Sequence, residues 1–133
     1  MSRGRSGSIP PAILILLSVA AFCRPADAAT LRVNPGGGGP YPTIQAAIDA
    51  AHSGDVVELE NGVYTSDGNR DISFEGKSIT VHSRSGDPTL CIIDCGGWAD
   101  TTAPHRGFMF SSGESAFSVL SDITVRNGLA YGP

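Results

Sequence analysis

The sequence predicts an all-β protein in which short strands stack in parallel, as a solenoid, behind one N-terminal capping α-helix. Three observations predict it. One amphipathic helical segment, Ile44 to Ala51, comes early, and no second helical stripe follows. The rest of the chain is a succession of short apolar-alternating strands divided by turn clusters rich in glycine, aspartate and asparagine. The tripeptide Ile-Thr-Val occurs at 79–81 and again at 123–125, a lag of 44 residues, or two steps of a coil of about 22 residues.

Residues 1–28 read as a secretory signal peptide. Arg3 and Arg5 make a positive start, Ala12 to Phe22 is almost wholly apolar, and Ala26-Asp27-Ala28 places small residues around a cleavage after Ala28. The apolar run is shorter than the roughly 20 residues a membrane span needs. A lipid attachment at Cys23 is disfavoured by the large Phe22 before it. Cleavage removes Arg3, Arg5, Arg24 and Asp27, so the net charge moves from −4 to −6. That balance argues against nucleic acid and anionic membrane as partners, because both need a basic surface. It leaves about 105 residues, enough for one modest domain.

Residues 29–54 carry a first strand, a glycine-rich turn and the helix. Thr30 to Val33 is strand-like. Gly36 to Gly39 invites comparison with a phosphate-binding loop, but no Gly-Lys-Ser/Thr follows it. Gly76-Lys77-Ser78 occurs later, yet Asp71 stands where a Walker motif needs glycine, and the residues beyond read as strand. Ile44, Ala47, Ile48 and Ala51 form a helical stripe. Thr43 is the expected N-cap, Gly54 the expected stop, and His52 the expected partner of the last carbonyls. Two to three turns do not stand alone in water, so the stripe must lie on other apolar surface.

Residues 55–133 supply the strands. In Val56 to Glu60, Val57 and Leu59 face inward while Glu58 and Glu60 face out. Ile72 to Phe74, Ile79 to Val81, Leu90 to Ile93, Phe108 to Phe110, Phe117 to Val119 and Ile123 to Val125 repeat the pattern. The turns between them are too long for a hairpin series. A single coil cannot bury its inner face, so successive coils must stack, with the helix closing the first edge. An antiparallel sandwich is the alternative, and it leaves the position of the lone helix unexplained. The last strand, Ile123 to Arg126, has no capping element after it, so the expected coil stack is incomplete at its C-terminal edge and prone to self-association there.

Cys91 and Cys95 are expected as buried, unbridged thiols. Along an extended strand their Cα atoms would be about 13 Å apart, and a disulfide needs no more than about 7 Å. Two thiols without a nearby histidine do not match a zinc site. Calcium-binding nonapeptides and EF-hand loops are absent from the sequence.

The run from Pro42 to Ala51, then Gly54-Asp55-Val-Val and Asn61 to Thr65, resembles the N-terminal segment of the pectin-lyase-like right-handed parallel β-helix superfamily. Gly76 to Val81 and Ile123 to Gly128 are similar to its later repeats. The resemblance implies an extracytoplasmic, secreted or cell-surface protein that binds or processes polysaccharide, with calcium as a cofactor of the lyase members. Pectinesterases, pectate lyases, polygalacturonases and bacterial surface proteins share this opening, so the alternative is a non-catalytic adhesin or passenger domain. No segment matches a family active-site motif, and no catalytic residue is carried over. The candidate sugar contacts are Trp98, Asp100, His105 and Arg106, with Asp94 nearby, in the irregular stretch from Cys95 to Arg106. A tryptophan among acids and arginine suits stacking on a sugar ring, and a surface loop with Trp98 covering the barrel side is the plainer alternative. Asp122, Arg126, His82 and the segment Asn69-Arg70-Asp71 read as outward or turn residues.

Overall fold

The computed structural model describes residues 27–97 and 102–131. Nearly all of the expected signal peptide, together with Trp98 and Asp100, lies outside the described residues. The elements are β1 (Thr30–Val33), α1 (Ile44–Ala50), β2 (Val56–Leu59), β3 (Gly62–Tyr64), β4 (Ile72–Ser73), β5 (Thr80–Ser83), β6 (Cys91–Asp94), β7 (Phe108–Met109), β8 (Val119–Ser121) and β9 (Thr124–Arg126). The protein is mostly strand, in parallel sheets, with one short helix.

The strands form a four-stranded sheet in the order β1-β2-β5-β8, a three-stranded sheet β3-β6-β9 and a pair β4-β7. Every one of these pairings is parallel, which removes the antiparallel sandwich. From β2 onward the chain enters the three sheets in rotation. Parallel neighbours need a crossover rather than a hairpin, and here each crossover from β2 onward runs through the other two sheets.

The alternation of side chains builds one interior. Leu31, Val57 and Val81 stand in one inward row, and Val33, Leu59 and Ser83 in another, all of them buried. Tyr64 and Ile93 continue the core from the second sheet. Phe74 follows β4 and packs against Phe108 edge-on, with ring centroids 6.2 Å apart, and against Phe110 at 4.8 Å. The buried Tyr64 hydroxyl lies 2.8 Å from the Val33 carbonyl and 2.9 Å from that of Glu60, so its polar tip is satisfied inside the core. Cys91 and Cys95 are free and buried, as the spacing argument expects.

α1 lays Ile44, Ala47 and Ile48 into this interior, each fully buried. Burying one such isoleucine contributes about 1.5–3 kcal/mol, which a helix of this length cannot obtain alone. Thr43 is the N-cap, accepting the Ala46 N–H at 3.1 Å. Gly68 has φ +84° and passes so close that a Cβ would lie 2.8 Å from Thr43, so only glycine lets the β3–β4 loop support the cap.

Three expectations are corrected. Gly54 does not end the helix: the last helical residue is Ala50, Ala51 is extended, and Gly54 sits in the next turn, donating to the Ser78 carbonyl. His52 is not the partner of the last carbonyls. Lys77 takes that place, its Nζ donating to Ile48 O at 2.7 Å and Asp49 O at 3.1 Å, because a lysine between β4 and β5 reaches the helix end while the His52 side chain is 92% exposed. The two Ile-Thr-Val copies do not stack. Thr80 belongs to the four-stranded sheet, and Thr124 pairs with Ile92 in the three-stranded one. The step along the four-stranded sheet lengthens, since Thr80 faces Val56 behind it and Val119 ahead, so a fixed period is lost.

Candidate functional site

The outer face of the four-stranded sheet carries a polar row. Arg32, Glu58, His82 and Ser121 are in register on β1, β2, β5 and β8. Their side chains face out because their neighbours Leu31, Val33, Val57, Leu59 and Val81 face in. Arg32 Nε donates to Glu58 Oε2 at 2.8 Å, and Arg84 Nε lies 3.8 Å from the same oxygen.

Where this sheet turns toward the second one, Glu60 and Asn61 on one level lie beside Arg84 and Ser85 on the next. These four residues line a shallow open groove of about 260 Å³. Arg84 Nη1 contacts Glu60 Oε1 at 2.5 Å, and the Ser85 hydroxyl donates to Asn61 Oδ1 at 2.7 Å. Gly62, with φ +144°, follows Asn61, and Pro35 lies against it so closely that a Cβ would meet Pro35 Cγ at 2.5 Å. The corner is therefore fixed by packing beneath as well as by polar contacts above. Such a surface offers alternating donors and acceptors, on planar side chains, to a ligand rich in hydroxyl groups.

The loop candidates fall elsewhere. Trp98 and Asp100 lie outside the described residues. His105 Nδ1 is 2.5 Å from Asp71 Oδ2, and the Arg106 N–H donates to Asp71 Oδ1 at 2.7 Å. Asp71 in turn donates its own N–H to the Arg106 carbonyl at 2.6 Å from a left-handed backbone (φ 52°). Burial pulls the Asp71 carboxyl upward, but the Arg106 N–H and the His105 imidazole outweigh it and hold the group below the usual carboxylate range. The three residues form a clasp that fastens the segment before β7 to the segment before β4, with Arg106 exposed and Asp71 and His105 half-buried. Asp94 is held by the Asn127 amide, the Gly96 N–H and Arg126, which lower its carboxyl in the same sense. The Asp122 backbone is left-handed (φ 57°), and its carboxylate accepts from the Ser121 hydroxyl.

The thiols are unsuited to chemistry, since burial pushes Cys91 up to about 11 and raises Cys95 as well. The calcium that the family resemblance implies does not fit the donors among the described residues. Glu58, Glu60, Asp71 and Asp94 are each engaged by arginine, imidazole or amide groups of the chain itself. Among the described residues no group of three His, Cys, Asp or Glu side chains converges as a metal site requires. Among the same residues no helix is long and apolar enough to cross a membrane.

Sequence reasoning placed Glu58 and Glu60 on the outer face but did not single out Asn61, Arg84 or Ser85. The signal that finds them is the offset of 24 residues between Glu60 and Arg84, which equals that between Asn61 and Ser85. No family model, curated protein or solved structure matches the chain.

Proposed function

We propose that this chain is the N-terminal part of an exported right-handed parallel β-helix protein of the pectin-lyase-like kind, and that it binds extracellular polysaccharide at the groove of Glu60, Asn61, Arg84 and Ser85. Support for the winding comes from the rotation of strands through three parallel sheets and from the strong preference of parallel crossovers for the right hand. Support for export is the leader-like composition of residues 1–28. N-terminal sequencing of protein recovered outside the cytoplasm is expected to begin at Ala29.

The observation that carries the ligand reading is the pairing of polar side chains across adjacent levels of the groove, Arg84 with Glu60 and Ser85 with Asn61. A glycan laid across these two levels meets hydrogen-bonding groups on both, so weak hydrogen bonds add along it.

Binding without turnover, as in an adhesin or passenger domain, is favoured over processing by one feature. The groove carboxylate Glu60 and its neighbour Glu58 on the adjoining sheet face are both ion-paired to arginine, whereas hydrolysis needs one carboxyl free to donate a proton and a second facing it. Affinity electrophoresis against soluble polysaccharides tests the reading. The doubly substituted Asn61→Ala, Arg84→Ala protein should bind about ten-fold more weakly or worse, for a loss of about 1.4 kcal/mol or more. Unchanged retardation in every glycan that slows the wild type would remove the groove as the site.

A further inference from the structure

We infer that the groove selects uncharged glycans and disfavours acidic ones such as polygalacturonate. This rests on the polysaccharide reading above and names the substrate class of that same site.

The inference follows from how the charges at the groove are arranged. At the groove Arg84 is set against Glu60, and on the adjoining outer face of the sheet Arg32 is set against Glu58, so two guanidinium groups alternate with two carboxylates. Arg32 Nε is 2.8 Å from Glu58, Arg84 Nη1 is 2.5 Å from Glu60, and Arg84 Nε is 3.8 Å from Glu58. The four charges cancel. A uronate carboxylate gains most from a free guanidinium fork, and here it must compete with a carboxylate already in place. Displacing Glu58 is especially costly, because its side chain is only 16% exposed and would be left poorly solvated without a partner. Displaced Glu60 and an incoming uronate would also repel one another.

The surroundings act in the same direction. Asp87 lies at the rim, its N–H on the Ser85 hydroxyl and its carboxylate held ionised by the Thr89 hydroxyl and N–H. The whole chain carries a net charge of −4, so a polyanion is repelled before contact. A neutral sugar needs no displacement. Its hydroxyls donate to the outer lone pairs of Glu58 and Glu60 and accept from the remaining guanidinium N–H groups, so both ion pairs survive in the complex.

The test compares a neutral galactan and a neutral glucan with polygalacturonate of matched length, by isothermal titration at low and high salt. The neutral polymers are expected to bind with little salt dependence, and polygalacturonate about ten-fold more weakly or not at all at low salt. Glu60→Gln, verified as folded by circular dichroism, frees Arg84 from its nearest partner. It should raise polygalacturonate affinity several-fold and make it salt-sensitive. Glu58→Gln should act likewise through Arg32. Polygalacturonate binding as tightly as the neutral polymers in the wild type would overturn the inference and leave the polysaccharide reading standing. Failure of all three polymers to bind would defeat that reading and carry the inference with it.

Discussion

Asp55 ties together three stretches of chain, two through its carboxylate and one through its backbone carbonyl. Its Oδ1 accepts the Ala29 N–H and its Oδ2 the His52 N–H, each at 2.8 Å, while its own carbonyl accepts the Thr80 N–H. The His52 N–H, then the Ala29 N–H, lower the carboxyl against an opposing effect of burial. A carboxyl lowered on folding stabilises the protein above its unfolded value of about 3.9, and that contribution is lost as pH falls through the folded value. Asp55→Asn keeps the shape but offers one acceptor where two are needed. Urea denaturation at neutral pH should show a loss of about 1–3 kcal/mol. The wild type should lose its advantage over this variant as the pH is taken below about 4. An equal midpoint for the two proteins at neutral pH would remove Asp55 from this role. The role was only half legible. Gly54-Asp55 reads as a turn, yet one sequence does not say that the aspartate reaches Ala29. The same holds for Asp71, which a local reading leaves in a polar turn although its partners His105 and Arg106 are more than thirty residues away.

At the scale of elements, α1 closes an edge that a strand would otherwise fill. Ile72 donates its N–H toward the partner strand, at Gly107 O, so Ser73 presents its N–H and C=O on the open side of β4. The Gln45 side chain fills both: Ser73 N–H donates to Oε1 at 2.9 Å, and Nε2 donates to Ser73 O at 3.1 Å. One amide thus imitates a neighbouring strand. Gln45→Ala should cost about 1–3 kcal/mol and speed hydrogen exchange at the Ser73 amide, with the helix itself retained by its buried stripe. Unchanged exchange at Ser73 would mean that water serves the edge equally well. The helix stripe was readable because a period of 3.6 is distinctive. The strand assignments were less so, since alternation of period two is identical in all three sheets and does not label which sheet a strand joins. β3 was missed as a strand because Gly62-Val63-Tyr64 is short and begins with glycine, with Val63 outward and 42% exposed.

For the molecule as a whole, the two ends of the core are unlike. At the first edge α1 covers the interior, and Lys77, Asn69 and Gln45 bind its backbone and its neighbours. At the other edge, β7, β8 and β9 have no further strand beside them among the described residues. Exposure follows this asymmetry along one inward row: Tyr64 and Ile93 are 0% exposed and Val125 is 43%. Phe110 and Phe117 are likewise exposed, at 50% and 77%. Parallel edges with apolar side chains beside them are templates for further pairing. Because α1 covers the first edge, pairing of two copies through the exposed β7, β8 and β9 edges would be face to face about a two-fold axis rather than head-to-tail. Light scattering with size-exclusion chromatography should therefore find a concentration-dependent dimer. Val125→Lys combined with Phe117→Lys should shift it toward monomer without loss of the α1 packing, because neither residue belongs to the buried cluster under the helix. A wild-type chain that stays monomeric at high concentration would mean that the exposed row is tolerated in water and that the edge does not drive association.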